Sequence, residues 1–184
     1  LEEVGHLKYG RELHFWDFEK REPVESFYLG EDGLLPLEVK FHHNPNSTHG
    51  FCGAALSSNV IHWWKEGDKW QWEKIIDVEN EMHPEWPIPL PGVMSAILIS
   101  MDDKYLYLNN WLHGDMRQYD ISDPHNPVLT GQVYMGGLLG KAPTVNGVEV
   151  AGGPQMFQLS LDGRRLYEIG RHTSELQSPV PSSY

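Results

Sequence analysis

Histidine offers the most chemistry in this chain, which has ten histidines among 184 residues. Neutral imidazole is a ligand of copper, zinc and iron, so converging histidines could hold a metal. His43 ends an apolar strand pattern just before Asn44-Pro45, and His113 lies in a polar connection that contains glycine. Connections between strands commonly carry binding sites. His113 and one of the neighbours His42 and His43, which point to opposite faces of a strand, are therefore candidate metal ligands. Most of the other histidines are expected at the surface or in turns.

Carboxylate and amide side chains could complete or orient such a site. Asp115 and Asn110 lie close to His113 in sequence, and either side chain could accept a hydrogen bond from a ligating imidazole. Glu38 lies inside an apolar strand run, where it either faces solvent by alternation or lies in a channel with partners. Because no HExxH segment and no calcium-binding loop occurs, spacing alone predicts no complete metal site. No residue is assigned a catalytic role.

The single cysteine, Cys52, cannot form a disulfide within the chain. It lies among small residues with no assignable base nearby, which indicates a buried, inert thiol and not a nucleophile. The glycine pairs at positions 136–137 and 152–153 are not followed by the GK[ST] of a phosphate-binding loop. These pairs are therefore predicted to form turns.

Charge and hydropathy exclude several function classes. The chain has 14 Lys and Arg against 26 Asp and Glu, a net charge of −12. Binding to nucleic acid phosphates needs a basic surface, so the composition argues against DNA and RNA as partners. No apolar run approaches the ~20 residues that a transmembrane helix needs. Acidic charge, a single cysteine and no recognisable targeting signal favour the cytoplasm.

The elements that must position these residues are short strands. Runs rich in Val, Ile, Tyr, Phe and Trp recur between Gly, Pro, Asn and Asp, about twelve times in all. ISMDDKYLY at 99–107 and LSLDGRRLY at 159–167 share one pattern, which predicts two strands joined by a turn with Asp103 or Gly163 at its tightest point. Trp16-Asp17 and Tyr119-Asp120 each precede a turn containing proline, as between the third and fourth strands of a propeller blade. The sequence predicts an all-β propeller segment of about three blades.

The two ends of the chain differ from its interior. The sequence begins at Leu1 without methionine, and a Ser- and Pro-rich segment closes it. We expect residues 1–167 to form the partial propeller of an internal fragment. Residues 168–184 are expected to be a disordered tail, with a non-native read-through sequence as the favoured explanation.

Several stretches resemble the selenium-binding protein family, whose members act as methanethiol oxidases. The resemblance covers residues 1–167 and places the chain in the middle-to-late part of a family protein more than twice as long. It implies a seven-bladed β-propeller, in agreement with the repeats. The matching stretches are 32–45 (DGLLPLEVKFHHNP), 53–58 (GAALSS), 101–131 (which contains NWLHGDMRQYDISDP) and 150–167 (VAGGPQMFQLSLDGRRLY).

The resemblance also implies a reaction and a cofactor. Family members oxidise methanethiol with O2 and water to formaldehyde, hydrogen sulfide and hydrogen peroxide, with copper held by histidines of several blades. By motif, His43 and His113 carry over as copper ligands, and Asp115, Asn110 and Glu38 are candidates to orient them. The remaining ligands and the selenium-linked cysteine belong to N-terminal blades outside this segment, so no residue here is assigned to selenium. This segment alone is expected to be inactive and to need those blades as partners.

A second interpretation stays open. The family has also been linked to a non-enzymatic role, in which the propeller binds selenium or partner proteins, for instance in intra-Golgi or vesicle transport. Retention of His43 and His113 favours the oxidase, since a scaffold needs neither. The resemblance extends the expected location from the cytoplasm to the nucleus and to the membrane surface.

Overall fold

Runs of β-branched and aromatic residues form antiparallel strands in the computed structural model, which describes residues 8–171. Only one short 3-10 helix, Gly30–Gly33, interrupts them in that range. No helix there is long and apolar enough to cross a bilayer. The fourteen strands are β1 (Glu12–Asp17), β2 (Glu22–Tyr28), β3 (Pro36–Phe41), β4 (Gly50–Ala54), β5 (Asn59–Glu66), β6 (Lys69–Asp77), β7 (Met94–Ile99), β8 (Tyr105–Asn110), β9 (Asp115–Asp120), β10 (Val128–Tyr134), β11 (Thr144–Val145), β12 (Val148–Glu149), β13 (Gly153–Leu159) and β14 (Leu166–Arg171).

Neighbouring strands along the chain pair with each other to form successive sheets. β3 to β6 form one four-stranded sheet, and β7 to β10 form the next. Two-stranded sheets of β1–β2 and β13–β14 lie on either side of them. The first strands β3, β7 and β13 pack side by side, as the inner strands of propeller blades do. Two complete blades and two half blades confirm the predicted all-β propeller of about three blades.

The core lies between the sheets and not within one of them. Every residue of β4 is buried, because both faces of its sheet are covered. Phe51 packs among residues of the β7–β10 sheet, whereas Cys52 packs with Leu13 and Phe27 of the β1–β2 sheet. Successive side chains of a strand point to opposite faces, so one strand contributes to both interfaces.

The repeated turns form as predicted. Asp103 has φ +58° and Gly163 has φ +68°, the left-handed conformation that such a turn requires. The Asp102 carboxylate accepts a hydrogen bond from the Ser100 hydroxyl, and Asp162 repeats this contact with the hydroxyl two residues before it. Each hairpin therefore closes through the same side-chain contact.

Two parts of the chain differ from the sequence expectation. The connection between β10 and β13 contains the small hairpin β11–β12, which the sequence pattern did not reveal. β14 continues through Arg171, because residues 168–171 pair with β13. The first residues of the proposed tail are thus part of a sheet. The rest of the tail lies outside the described residues, so its disorder and its read-through origin remain predictions.

Candidate functional site

His113 is fully buried in the connection between β8 and β9. Its Nε2 lies 2.8 Å from the carbonyl oxygen of Leu90. A carbonyl can only accept, so Nε2 carries a proton, and in the neutral ring Nδ1 then carries the lone pair. Nδ1 has no hydrogen-bond partner. The fold therefore presents a buried, fixed imidazole with one free donor nitrogen.

Unpartnered polar atoms concentrate around this histidine. Eight buried side-chain polar atoms in the described part of the chain have no partner, and four of them belong to Asn109, Asn110, Trp111 and His113. Buried polar groups are normally hydrogen-bonded, so a local concentration of exceptions needs a cause. A ligand, a water cluster or further protein would satisfy them. This connection therefore has the features of a binding site.

A buried carboxylate lies at the base of the same connection. Asp115 is fully buried and accepts hydrogen bonds from Asn110 Nδ2 at 2.9 Å, Arg117 Nε at 2.7 Å and Gln132 Nε2 at 2.6 Å. Neither Asp115 nor Asn110 bonds to the His113 ring, which Leu90 orients instead. The two candidate orienting residues therefore hold the backbone that carries the histidine.

Glycines let two backbone segments approach the His113 connection closely. A Cβ on Gly114 would lie 2.0 Å from the carbonyl oxygen of Gly136, and a Cβ on Gly136 would lie 1.7 Å from that of Gly152. Both glycines have positive φ, +74° and +146°. Gly136 and Gly137 lie in a bend with positive φ, as the turn prediction for that pair expects, whereas Gly153 of the second pair begins β13. The close contacts of Gly114, Gly136 and Gly137 fix the position of His113.

His43 lies on a different rim of the blades. Its Nδ1 donates to Asp103 Oδ1 at 2.9 Å, and its backbone N–H donates to the same oxygen at 2.7 Å. Asp103 lies in the β7–β8 turn, whereas His113 follows the far end of β8. A six-residue strand separates these ends by about 20 Å. The structure does not bring the two predicted ligands together, and each stays a predicted ligand on its own.

Glu38 links two inner strands. Its carboxylate accepts a hydrogen bond from the backbone N–H of Ile97 in β7 at 2.8 Å, and Lys40 lies 3.6 Å away. The carboxylate therefore has a partner in the next blade and stays partly exposed, so its place in a channel remains a prediction. It makes no hydrogen bond to His43 or His113 in the described structure, so its visible role is to join blades.

A cluster of three histidines, His49, His62 and His125, lies between the two complete blades. One nitrogen from each lies within 4.8 Å of the others, which is close enough to hold a metal. His49 Nδ1 lies 2.8 Å from His62 Nε2. Glu73 Oε1 lies 3.1 Å from His62 Nδ1 and 2.6 Å from His125 Nδ1. The histidine cluster thus shares one carboxylate.

The surroundings of the histidine cluster favour the neutral form of His49 and His62. His62 is fully buried, and burial lowers its pKa to about 4, more than the hydrogen bond to Glu73 raises it. Burial also lowers the pKa of His49, with His42 and His125 adding to the effect. Neutral imidazole is the form that binds metals, so His49 and His62 need no deprotonation near pH 7.

Cys52 is buried, as the sequence predicted. Burial raises the pKa of its thiol to about 12, and only the thiolate reacts as a nucleophile. We expect iodoacetamide at pH 8 to leave Cys52 unmodified in the folded protein and to alkylate it fully in urea. Mass spectrometry of both samples tests this. Labelling of the folded protein at the rate of a free cysteine would contradict the inert assignment.

Comparison with known proteins agrees with the sequence motifs. The profile of the 56 kDa selenium binding protein (SBP56) family matches residues 1–178. The chain belongs to this family. Within it, the chain is 47% identical to the methanethiol oxidase of Xenopus tropicalis, over 91% of the chain and 39% of that protein. It is 46% identical to selenium-binding protein 3 of Arabidopsis thaliana, with the same coverage. The chain thus spans about two fifths of the length of these curated family members.

Solved structures support the same fold. A hypothetical selenium-binding protein from Sulfolobus tokodaii superposes with a TM-score of 0.85 at 39% identity, over 91% of this chain and 40% of that one. A β-propeller domain from Myceliophteria thermophila superposes with a TM-score of 0.56 at 10% identity, over 88% of this chain and 43% of that one. The second likeness shows only the propeller fold.

Proposed function

We propose that this chain forms part of a copper-dependent methanethiol oxidase. The reaction converts methanethiol, O2 and water into formaldehyde, hydrogen sulfide and hydrogen peroxide, and this equation balances in all atoms. The observation that carries the proposal is the free Nδ1 of buried His113, in a chain whose relatives in Xenopus tropicalis and Homo sapiens are named methanethiol oxidase.

His113 fits a copper ligand for two reasons. Its Nε2–H is held by the Leu90 carbonyl, which fixes both the tautomer and the ring orientation, as a good ligand requires. Its Nδ1 lone pair is desolvated and has no competing donor in the described structure. Bound copper supplies a soft site for thiolate sulfur and the redox couple that reaction with O2 requires.

The other predicted residues support the site from a distance. The Asp115 carboxylate neutralises the Arg117 guanidinium and fixes the amides of Asn110 and Gln132, which keeps the His113 connection rigid. We propose that Glu38 aligns the inner strands through Ile97. His43 keeps a free Nε2, because its Nδ1 donates to Asp103. As a copper ligand, His43 would serve a separate position at the opposite rim.

We propose that the remaining copper ligands, and any residue that binds selenium, lie in further blades of the complete protein. The half blades expose apolar side chains that such blades would cover, including Trp16 and Val24 on one side and Met156 and Ile169 on the other. Large exposed apolar patches mark interaction surfaces. The activity is therefore assigned to the complete protein, and the isolated segment is expected to be inactive.

The proposed oxidase is tested by measuring product formation in the complete protein that carries this segment. We expect consumption of methanethiol to depend on O2 and to yield hydrogen sulfide and hydrogen peroxide in equal amounts. Removal of copper with a chelator should abolish turnover, and copper added back should restore it. Absence of turnover in a copper-loaded, folded protein would overturn the proposal and favour the non-enzymatic propeller.

A further inference from the structure

We propose that the histidine cluster, His49, His62 and His125, is a second metal site, suited to a divalent ion of the zinc class and distinct from the His113 site. The cluster joins two blades, since His62 lies in β5 and His49 in the β3–β4 connection of one sheet, whereas His125 lies in the β9–β10 turn of the next sheet. A bound ion would therefore link adjacent blades. The inference does not depend on the proposed oxidase.

Hydrogen bonds to Glu73 leave one nitrogen of His62 and one of His125 with a lone pair that a metal could bind. The Glu73 carboxylate can only accept, so Nδ1 of His62 and Nδ1 of His125 both donate to it. In each neutral ring, Nε2 then carries the lone pair. A carboxylate that orients a ligating histidine in this manner is common in zinc proteins, where it also makes the imidazole more basic.

The third ligand requires one change of tautomer. His62 Nε2 is an acceptor, so His49 Nδ1 carries the proton in their 2.8 Å contact. Transfer of that proton to Nε2 frees Nδ1 of the half-buried His49 to bind the ion. A tetrahedral zinc with Zn–N bonds of about 2.0–2.1 Å separates its ligand nitrogens by about 3.3 Å. One nitrogen of each ring already lies within 4.8 Å of the others, so side-chain adjustments would bring three ligand nitrogens to that spacing.

Aromatic packing holds the cluster in place and leaves it open on one side. The Trp64 ring stacks on His62 at 4.9 Å and meets His125 edge to face at 4.7 Å. His125 is exposed on its other side. Three histidines with an open fourth position form the ligand pattern of zinc sites that keep a bound water. The site would thus take an ion directly from solvent.

Zinc binding to the metal-free complete protein tests the proposal. We expect zinc chloride to bind with a dissociation constant of micromolar or lower and to raise the unfolding temperature, because a ligand of the folded state stabilises it. His125→Gln changes an exposed turn residue and should preserve the fold, while weakening zinc binding at least about 100-fold. Glu73→Gln should weaken binding by about 10- to 100-fold, as loss of an orienting carboxylate does.

Two controls separate this site from other binding. His14→Gln removes an exposed histidine of β1, whose ring bonds to Ser26 and lies near Glu12, and should leave zinc affinity unchanged. His113→Ala should also retain zinc binding at the cluster, so failure of the oxidase proposal would not affect this result. Equal zinc affinity in wild type and His125→Gln, or no zinc binding by a folded wild-type protein, would overturn the proposal.

Discussion

His113→Ala is expected to lower the rate of methanethiol oxidation by the complete protein at least about 100-fold. Loss of a residue that merely orients a metal ligand costs about 10- to 100-fold, so removal of a ligand itself should cost more. The side chain is fully buried and its Nδ1 has no protein partner, so no neighbour in the described structure can replace it. Steady-state kinetics with copper-supplemented protein measures the effect.

The control for this variant is His14→Ala. His14 is exposed on the β1–β2 sheet and bonds to Ser26, so its loss should leave the rate unchanged. Because His113→Ala also removes the hydrogen bond to Leu90, His113→Gln serves as a second variant that keeps a polar group of similar size. If both His113 variants fold and turn over at the wild-type rate, His113 is not a ligand.

Gly136→Ala is expected to destabilise the protein by about 3–5 kcal/mol, the range of severe single substitutions. Gly136 has φ +146°, and a Cβ there would lie 1.7 Å from the backbone carbonyl oxygen of Gly152. A side-chain rotation cannot relieve that contact, because the Cβ is attached directly to the backbone and the atom that it meets is a backbone oxygen. The strained conformation alone would cost an L-residue about 1–3 kcal/mol.

Gly140→Ala is the matched control in the same connection. Gly140 has φ +64°, and no atom lies within 4 Å of the position that a Cβ would occupy. Only the conformational cost of about 1–2 kcal/mol remains. Urea unfolding of both variants measures the difference. Equal stability of the two variants would show that the backbone contact at Gly136 is not tight.

Local sequence patterns predicted most of the fold. The segments ISMDDKYLY and LSLDGRRLY contain their own strand, turn and cap residues, so the β7–β8 and β13–β14 hairpins could be inferred without any long-range contact. The β11–β12 hairpin escaped detection because its strands have only two residues each. Such strands are too short to show alternation.

The histidine cluster was only partly visible in the sequence. The hairpin turn at Gly67-Asp68 sets a register in which His62 lies opposite Glu73, and a histidine within an apolar strand is itself a signal. His49 and His125 could not be added, because they reach the cluster across a loop and across a blade interface. Their proximity depends on how two sheets stack, which local patterns do not encode.

The separation of His43 and His113 follows from strand direction. His43 follows the first strand of its blade, whereas His113 follows the second strand of the next blade. Consecutive antiparallel strands end on opposite rims, so the two positions cannot converge. Motif matching identified the two residues but not the rim on which each lies. The hydrogen bond from His43 to Asp103 in the β7–β8 turn shows the rim of His43.

The most direct test of the oxidase site is to identify the nitrogen that binds copper. Electron–nuclear double resonance of the copper(II)-loaded complete protein, with histidine labelled by nitrogen-15 at Nδ1, reports which ring nitrogen is coordinated. The spectra are compared with and without His113→Gln, in a His125→Gln background that silences the histidine cluster. We predict an Nδ1 coupling that disappears with His113→Gln. Identical couplings in both proteins would contradict the assignment of His113 as a copper ligand.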